Sequence, residues 1–96
     1  MSRREDVVSK HRDAIRQAAA RRKADSIALV GSVARGDDGD GSDYDFLVRF
    51  VEGASLFDLA GLQLDLEELL GRHVDVISVR GLKEEHQGML SDAITL

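Results

Sequence analysis

Apolar positions along this chain of 96 residues alternate between helical and strand-like patterns. Val8, His11, Ile15, Ala18 and Ala19 recur at helical spacing behind Ser2-Arg3-Arg4-Glu5, which fits a capping box. That spacing predicts a helix of roughly 20 residues ending near Arg22. His11 sits on the apolar stripe and reads as a packing residue, because no second histidine lies four residues on. Ser26-Ile27-Ala28-Leu29-Val30 is an apolar run closed by Gly31, the pattern of a strand buried on both faces. Asp37-Asp38-Gly39-Asp40-Gly41 reads as a polar loop, and Tyr44 to Val51 as a second strand rich in aromatic and β-branched residues. Ser55-Leu56-Phe57-Asp58 resembles another capping signal. Leu59, Leu62, Leu66, Leu69 and Leu70 follow at helical spacing, with Gly71 as the stop. His73 to Val79 reads as a third strand, and Leu82 to Ile94 as a last helix. The order αβ(turn)βαβα predicts an α+β (α/β) fold around a small mixed sheet.

Composition narrows the function. A chain this short buries roughly 60–65% of its unfolded surface, enough for one core, so residues 1–96 are expected to form one domain. Apolar residues make up 43% of the chain and aromatic residues 4%, which leaves a core of Leu, Val, Ile and Ala. The absence of Cys excludes disulfides, Cys-ligated zinc and a thiol nucleophile. No signal core and no run of about 18 apolar residues is present, so the default expectation is a soluble cytoplasmic protein without a membrane partner. Residues 1–23 carry eight basic and three acidic residues, 8 − 3 = +5, and residues 24–96 carry 5 − 15 = −10, which together give the net −5. The basic N-terminal helix reads first as a solvated face. Nucleic acid is not expected, because aromatic interleaving is lacking and the acidic body would repel phosphates.

The informative stretch runs from Gly31 to Val48. Gly31-Ser32 follows a buried strand and opens a short helix; such a corner either is an ordinary turn or lets a phosphate approach the backbone, with the Ser32 hydroxyl as an added donor. Gly31 and Gly36 match the two glycines of a P-loop, but Asp37-Asp38 stands where Lys and Ser or Thr are needed, so that reading fails. A calcium-binding EF-hand loop counted from Asp38 fails at position 6, which is Asp43, and at position 12, which is Arg49. Asp43 and Asp45 are spaced to share one face of a strand, with Cα atoms about 6.5–7 Å apart. Two such carboxylates repel each other unless a divalent cation lies between them, and hard oxygen ligands suit Mg²⁺. Leu47 continues their face, while Tyr44, Phe46, Val48 and Phe50 form the other. Asp75, inside the apolar run His73–Val79, completes a three-carboxylate site if its strand lies beside that of Asp45; otherwise it is a solvated strand start.

Gly-Ser-x-Ala-Arg-Gly, five residues, Ser-Asp-x-Asp-Phe-Leu-Val and, about thirty residues on, an Asp within an apolar strand resemble the minimal nucleotidyltransferase family of the DNA polymerase β-like nucleotidyltransferase superfamily. The likeness covers nearly the whole chain. It implies that Gly31 and Ser32, with Ser42, hold the phosphates of ATP, and that Asp43, Asp45 and Asp75 bind Mg²⁺ and carry catalysis. Arg35 either contacts phosphate or braces the turn. Family members are typically antitoxins paired with a HEPN-type toxin and similar to enzymes that transfer AMP to a tyrosine hydroxyl of that toxin. The resemblance therefore implies a partner protein and an oligomer with it or with itself. The alternative is an antitoxin that masks its toxin stoichiometrically, without catalysis.

Overall fold

The computed structural model describes residues 2–39, 41–79 and 91–96. Ser2 caps the first turn as expected, its hydroxyl accepting from the Glu5 N–H at 3.1 Å. The helix that follows is not continuous. After α1 (Arg3–Glu5) the backbone takes a π-helical path over Asp6–Lys10, breaks at His11, and resumes as α2 (Arg12–Arg21). The His11 N–H reaches back five residues to the Asp6 carbonyl at 2.8 Å. A π turn holds more residues than an α turn, so it shifts the phase of the stripe. Val7 becomes fully buried with Ile15, and Val8 only flanks the core. His11 is half-buried at the break.

Four strands form one mixed sheet in the order β3-β2-β1-β4. They are β1 (Ala24–Val30), β2 (Tyr44–Phe50), β3 (Val74–Ser78) and β4 (Ile94–Thr95). β1 runs antiparallel to β2 and β4, while β2 and β3 are parallel and joined by α4 (Leu56–Leu70). Helix α4 begins with a capping box in which Ser55 and Asp58 satisfy each other's backbone donors, and it ends at Gly71 with φ of 69°. A short helix, α3 (Gly31–Arg35), connects β1 to the loop before β2.

Two further expectations change. Asp25 and Ser26 at the start of β1 are exposed while Ile27, Leu29 and Val30 are buried, so burial on both faces is confined to the strand's second half; α2 and α4 cover one face of the sheet. The expected Leu82–Ile94 helix falls largely on residues 80–90, outside the described residues, and its end is corrected: Ile94–Thr95 is strand. That strand pairs with Ala28 and Leu29 of β1, and Leu96 is buried beyond it with its N–H on the Ile27 carbonyl at 3.0 Å. β-Branched Ile94 and Thr95 suit this edge position.

The core lies between the sheet and the helices. Ile27 and Leu29 of β1, Tyr44, Phe46 and Val48 of β2, and Val74 of β3 meet Ile15, Ala18 and Ala19 of α2 and Leu62 and Leu66 of α4. No described helix is long and apolar enough to cross a membrane.

Candidate active site

Strand register decides which side chains share a face. Leu29 pairs with Phe46, which pairs with Val76, and this row faces the helices. The adjacent row is Val30, Asp45 and Asp75. Side chains alternate along a strand, so that row points to the face opposite α2 and α4, where Val30 is buried and Asp75 exposed. Two carboxylates thus become direct cross-strand neighbours, an arrangement unfavourable without a counter-charge. Asp43 enters from the residue pair before β2. Ligand atoms of Asp43, His73 and Asp75 all lie within 4.8 Å of one another.

Asp45 is half-buried, and its pKa is raised above the ordinary carboxylate value. Burial is the largest cause, followed by the charges of Asp75 and Asp43 and a hydrogen bond with Asp75; the Arg35 charge opposes them. Gly31 is fitted to this carboxylate in two ways. Its φ is +78°, and a Cβ there would overlap Asp45 Oδ2 and come within 3.2 Å of its Cγ. Only glycine meets both conditions without rearrangement.

Ser32 is half-buried in α3, and its carbonyl accepts from the Asp37 N–H at 3.1 Å. Arg35 is exposed and pairs with Asp37, Nε to Oδ2 at 3.2 Å, so the bracing contact is present. Ser42 closes the loop ahead of Asp43: its hydroxyl accepts from the Gly39 N–H at 2.9 Å. Arg3 holds the same loop from the N-terminus, donating to the carbonyls of Gly39 at 3.0 Å and Ser42 at 2.8 Å and facing Asp38 at 3.7 Å. The structure therefore brings Gly31, Asp43, Asp45 and Asp75 together. It places Arg35 beside them and Ser42 in the loop that delivers Asp43.

Sequence reasoning passed over His73 and Glu67. His73 Nδ1 lies 2.9 Å from Glu67 Oε2 on α4, and Nε2 lies 3.1 Å from Asp75 Oδ1. Glu67 is itself anchored by the Val74 N–H at 3.1 Å. The hydrogen bond to Asp75 is the chief reason that the His73 pKa is raised, ahead of the charges of Asp75, Asp43 and Glu67. The available signal was His-x-Asp: two residues apart on an extended chain, they project to one side. The Glu67 contact arises from tertiary packing and has no local signal.

The site therefore combines crowded acidic donors with a glycine corner on the sheet face opposite α2 and α4. Such a donor set fits a divalent cation, whose charge relieves the repulsion between Asp45 and Asp75. The comparisons agree with this class of site. The nucleotidyltransferase domain family matches residues 8–95. A candidate protein adenylyltransferase of Methanocaldococcus jannaschii is 46% identical over 55 residues, spanning 57% of this chain and 59% of that relative, less than two thirds of its length. The protein adenylyltransferase MntA of Thermococcus cleftensis is 35% identical over 79 residues, spanning 82% of this chain and 77% of that one. A solved structure of a candidate minimal nucleotidyltransferase superposes with a TM-score of 0.84 at 41% identity, covering 100% of this chain and 97% of the other. A toxin–antitoxin structure with AMP-PNP shares the fold at a TM-score of 0.73 and 21% identity, covering 86% and 69%.

The chain belongs to the nucleotidyltransferase domain family. Within it, the chain has the minimal nucleotidyltransferase fold and is similar to proteins named as adenylyltransferases.

Proposed function

We propose that this chain transfers AMP from ATP to a tyrosine hydroxyl of a HEPN-type toxin, with the bond between the α- and β-phosphates broken and pyrophosphate released, and so acts as that toxin's antitoxin. The observation that carries the reading is the row Val30–Asp45–Asp75 on the sheet face opposite α2 and α4, with Gly31 turned against Asp45 at its end. Asp43, Asp45 and Asp75 hold the divalent cation, Mg²⁺ in this reading. When bound, such an ion would neutralise phosphate charge and stabilise the leaving pyrophosphate.

The chain's own residues supply the rest. Gly31 keeps the corner free of a side chain, so a phosphate can reach the backbone beside Asp45. Ser32 offers a hydroxyl donor there, and Arg35, now on Asp37, is near enough to Asp45 to affect its charge and can swing to an incoming phosphate. Ser42 and Arg3 fix the loop that presents Asp43. Asp75, whose carboxylate is exposed, would accept the proton of the acceptor hydroxyl in this reading, and that exposure suits an acceptor brought by another protein. The toxin–antitoxin structure with AMP-PNP and the adenylyltransferase name of the Thermococcus relative support the partner and the nucleotide.

The test incubates the protein with a HEPN-type partner, ATP and Mg²⁺ and reads the partner's intact mass. A gain of AMP mass on a tyrosine, absent with Asp43→Ala and with Asp45→Ala, supports the reading. Neutralisation of the toxin by both variants with no mass gain would instead establish stoichiometric masking.

A further inference from the structure

Among the described residues, the acidic row is accompanied by one histidine. His73 ends the turn after Gly71 and sits two residues before Asp75, on the same side of the chain. Its two ring nitrogens have different surroundings. Nδ1 faces Glu67 at 2.9 Å, and Glu67 is fixed in turn by the Val74 N–H. Nε2 faces the space shared by Asp43 and Asp75 and lies 3.1 Å from Asp75 Oδ1.

We propose that His73 is a further ligand, through Nε2, of the divalent cation held by Asp43 and Asp75, and that it tilts the site from Mg²⁺ towards first-row transition ions such as Mn²⁺. This rests on the metal-dependent reading above, though not on the identity of the acceptor.

Three features argue for it. Adjacent ligands of an octahedral ion with bonds of about 2.1 Å lie about 3.0 Å apart, so the Nε2–Oδ1 separation suits two ligands of one ion. A metal-binding histidine usually donates its other N–H to a carboxylate, and Glu67 is placed to receive it from Nδ1. Glu67 and His73 therefore form an oriented pair aimed at the cluster, with the orientation set from a separate element, α4. Imidazole binds Mg²⁺ poorly relative to carboxylate, whereas later first-row ions accept mixed nitrogen and oxygen donors. An all-carboxylate set would not discriminate in this way.

The experiment uses the full chain and Mn²⁺ alone, without nucleotide or partner. Electron spin-echo modulation of bound Mn²⁺ reports whether a ¹⁴N nucleus is directly coordinated, and Mg²⁺ competition gives the affinity ratio. The wild type is expected to show ¹⁴N coupling that His73→Gln removes, with Mn²⁺ affinity falling roughly tenfold or more and Mg²⁺ affinity falling less. Glu67→Gln is expected to weaken Mn²⁺ binding in the same direction by releasing the ring. His73 is exposed at the site's edge, so folding of the variants is checked by melting temperature alone. Bound Mn²⁺ without ¹⁴N coupling, coupling that persists in His73→Gln, or an unchanged Mn²⁺/Mg²⁺ ratio overturns the assignment and leaves the metal-dependent reading standing. Failure of the wild type to bind Mn²⁺ at all overturns both.

Discussion

Asp45 is held where a carboxylate is least comfortable, half-buried beside Asp75 and pressed over Gly31. Its raised pKa has a definite sign for stability. The folded state holds this proton to higher pH than the unfolded chain does, so the metal-free fold loses stability as pH rises from the ordinary Asp value through the raised one. Asp45→Asn removes the charge while keeping the shape. It should raise the melting temperature of the metal-free protein at pH 7, by an amount on the order of 5 °C or less, while abolishing AMP transfer. Scanning calorimetry with and without EDTA checks this, and a lower melting temperature would contradict it. Gly31→Ala should do the opposite, because an L side chain at positive φ, and an overlap with Asp45, together destabilise the fold by about 1–3 kcal/mol. Urea denaturation measures that directly. The pair Asp43 and Asp45 was legible from spacing alone, since period-two alternation needs no partner strand. Asp75 was legible only on the condition that β3 lies beside β2, which the register satisfies. His73 carried the local His-x-Asp spacing to Asp75, whereas its contact with Glu67 and the reach of Arg3 to the carbonyls of Gly39 and Ser42, across 36 and 39 residues, arise only through folding.

Among the elements, the first helix departs most from its sequence pattern. Regular spacing selected Val8, but the π-helical segment moves Val7 onto the core. Val7→Ala should therefore cost about 1–3 kcal/mol and Val8→Ala clearly less, as read by urea denaturation. A reversed order would mean that the helix is continuous in solution. Helix α4 followed its pattern closely, since caps and leucine spacing are local signals. Its attachment to α2 is not local: Arg22 forks onto Asp65, with Nε–Oδ2 at 2.8 Å and Nη2–Oδ1 at 3.3 Å. Gly61 lies beneath the fork, and a Cβ there would come within 2.6 Å of Arg22 Cζ. Gly61→Ala should gain less than the roughly 1 kcal/mol that helix propensity offers, and recover the full gain in an Arg22→Ala background. The Arg22 hydrogen bond holds the Asp65 pKa below its usual value. Stability from this pair is present above the ordinary Asp range and lost as pH falls through the lowered value, so Asp65→Asn should flatten the acid limb of the stability profile. The closing strand β4 had no strong sequence signal, being only two residues long.

On the scale of the molecule, one fact organises the rest. Both long helices pack on one face of the sheet, and the carboxylates lie on the other, beside buried Val30 and Leu47. Along β2, Tyr44, Phe46 and Val48 face the helices, and Asp45 faces the site. The fold class and the mixed sheet were readable because hydrophobic period and length separate helix from strand. Which face the helices cover was not, because an apolar run such as Ile27–Val30 does not say on which side they lie. The central claim is that Asp43, Asp45 and Asp75 gather a divalent ion on the face opposite the helices, beside a nucleotide. Isothermal calorimetry with a non-hydrolysable ATP analogue tests it most directly. Binding should require a divalent cation, disappear on chelation with EDTA, and be lost in Asp45→Asn although that variant is at least as stable as the parent. Equally tight binding without the cation, or binding unaffected by Asp45→Asn, would contradict the account.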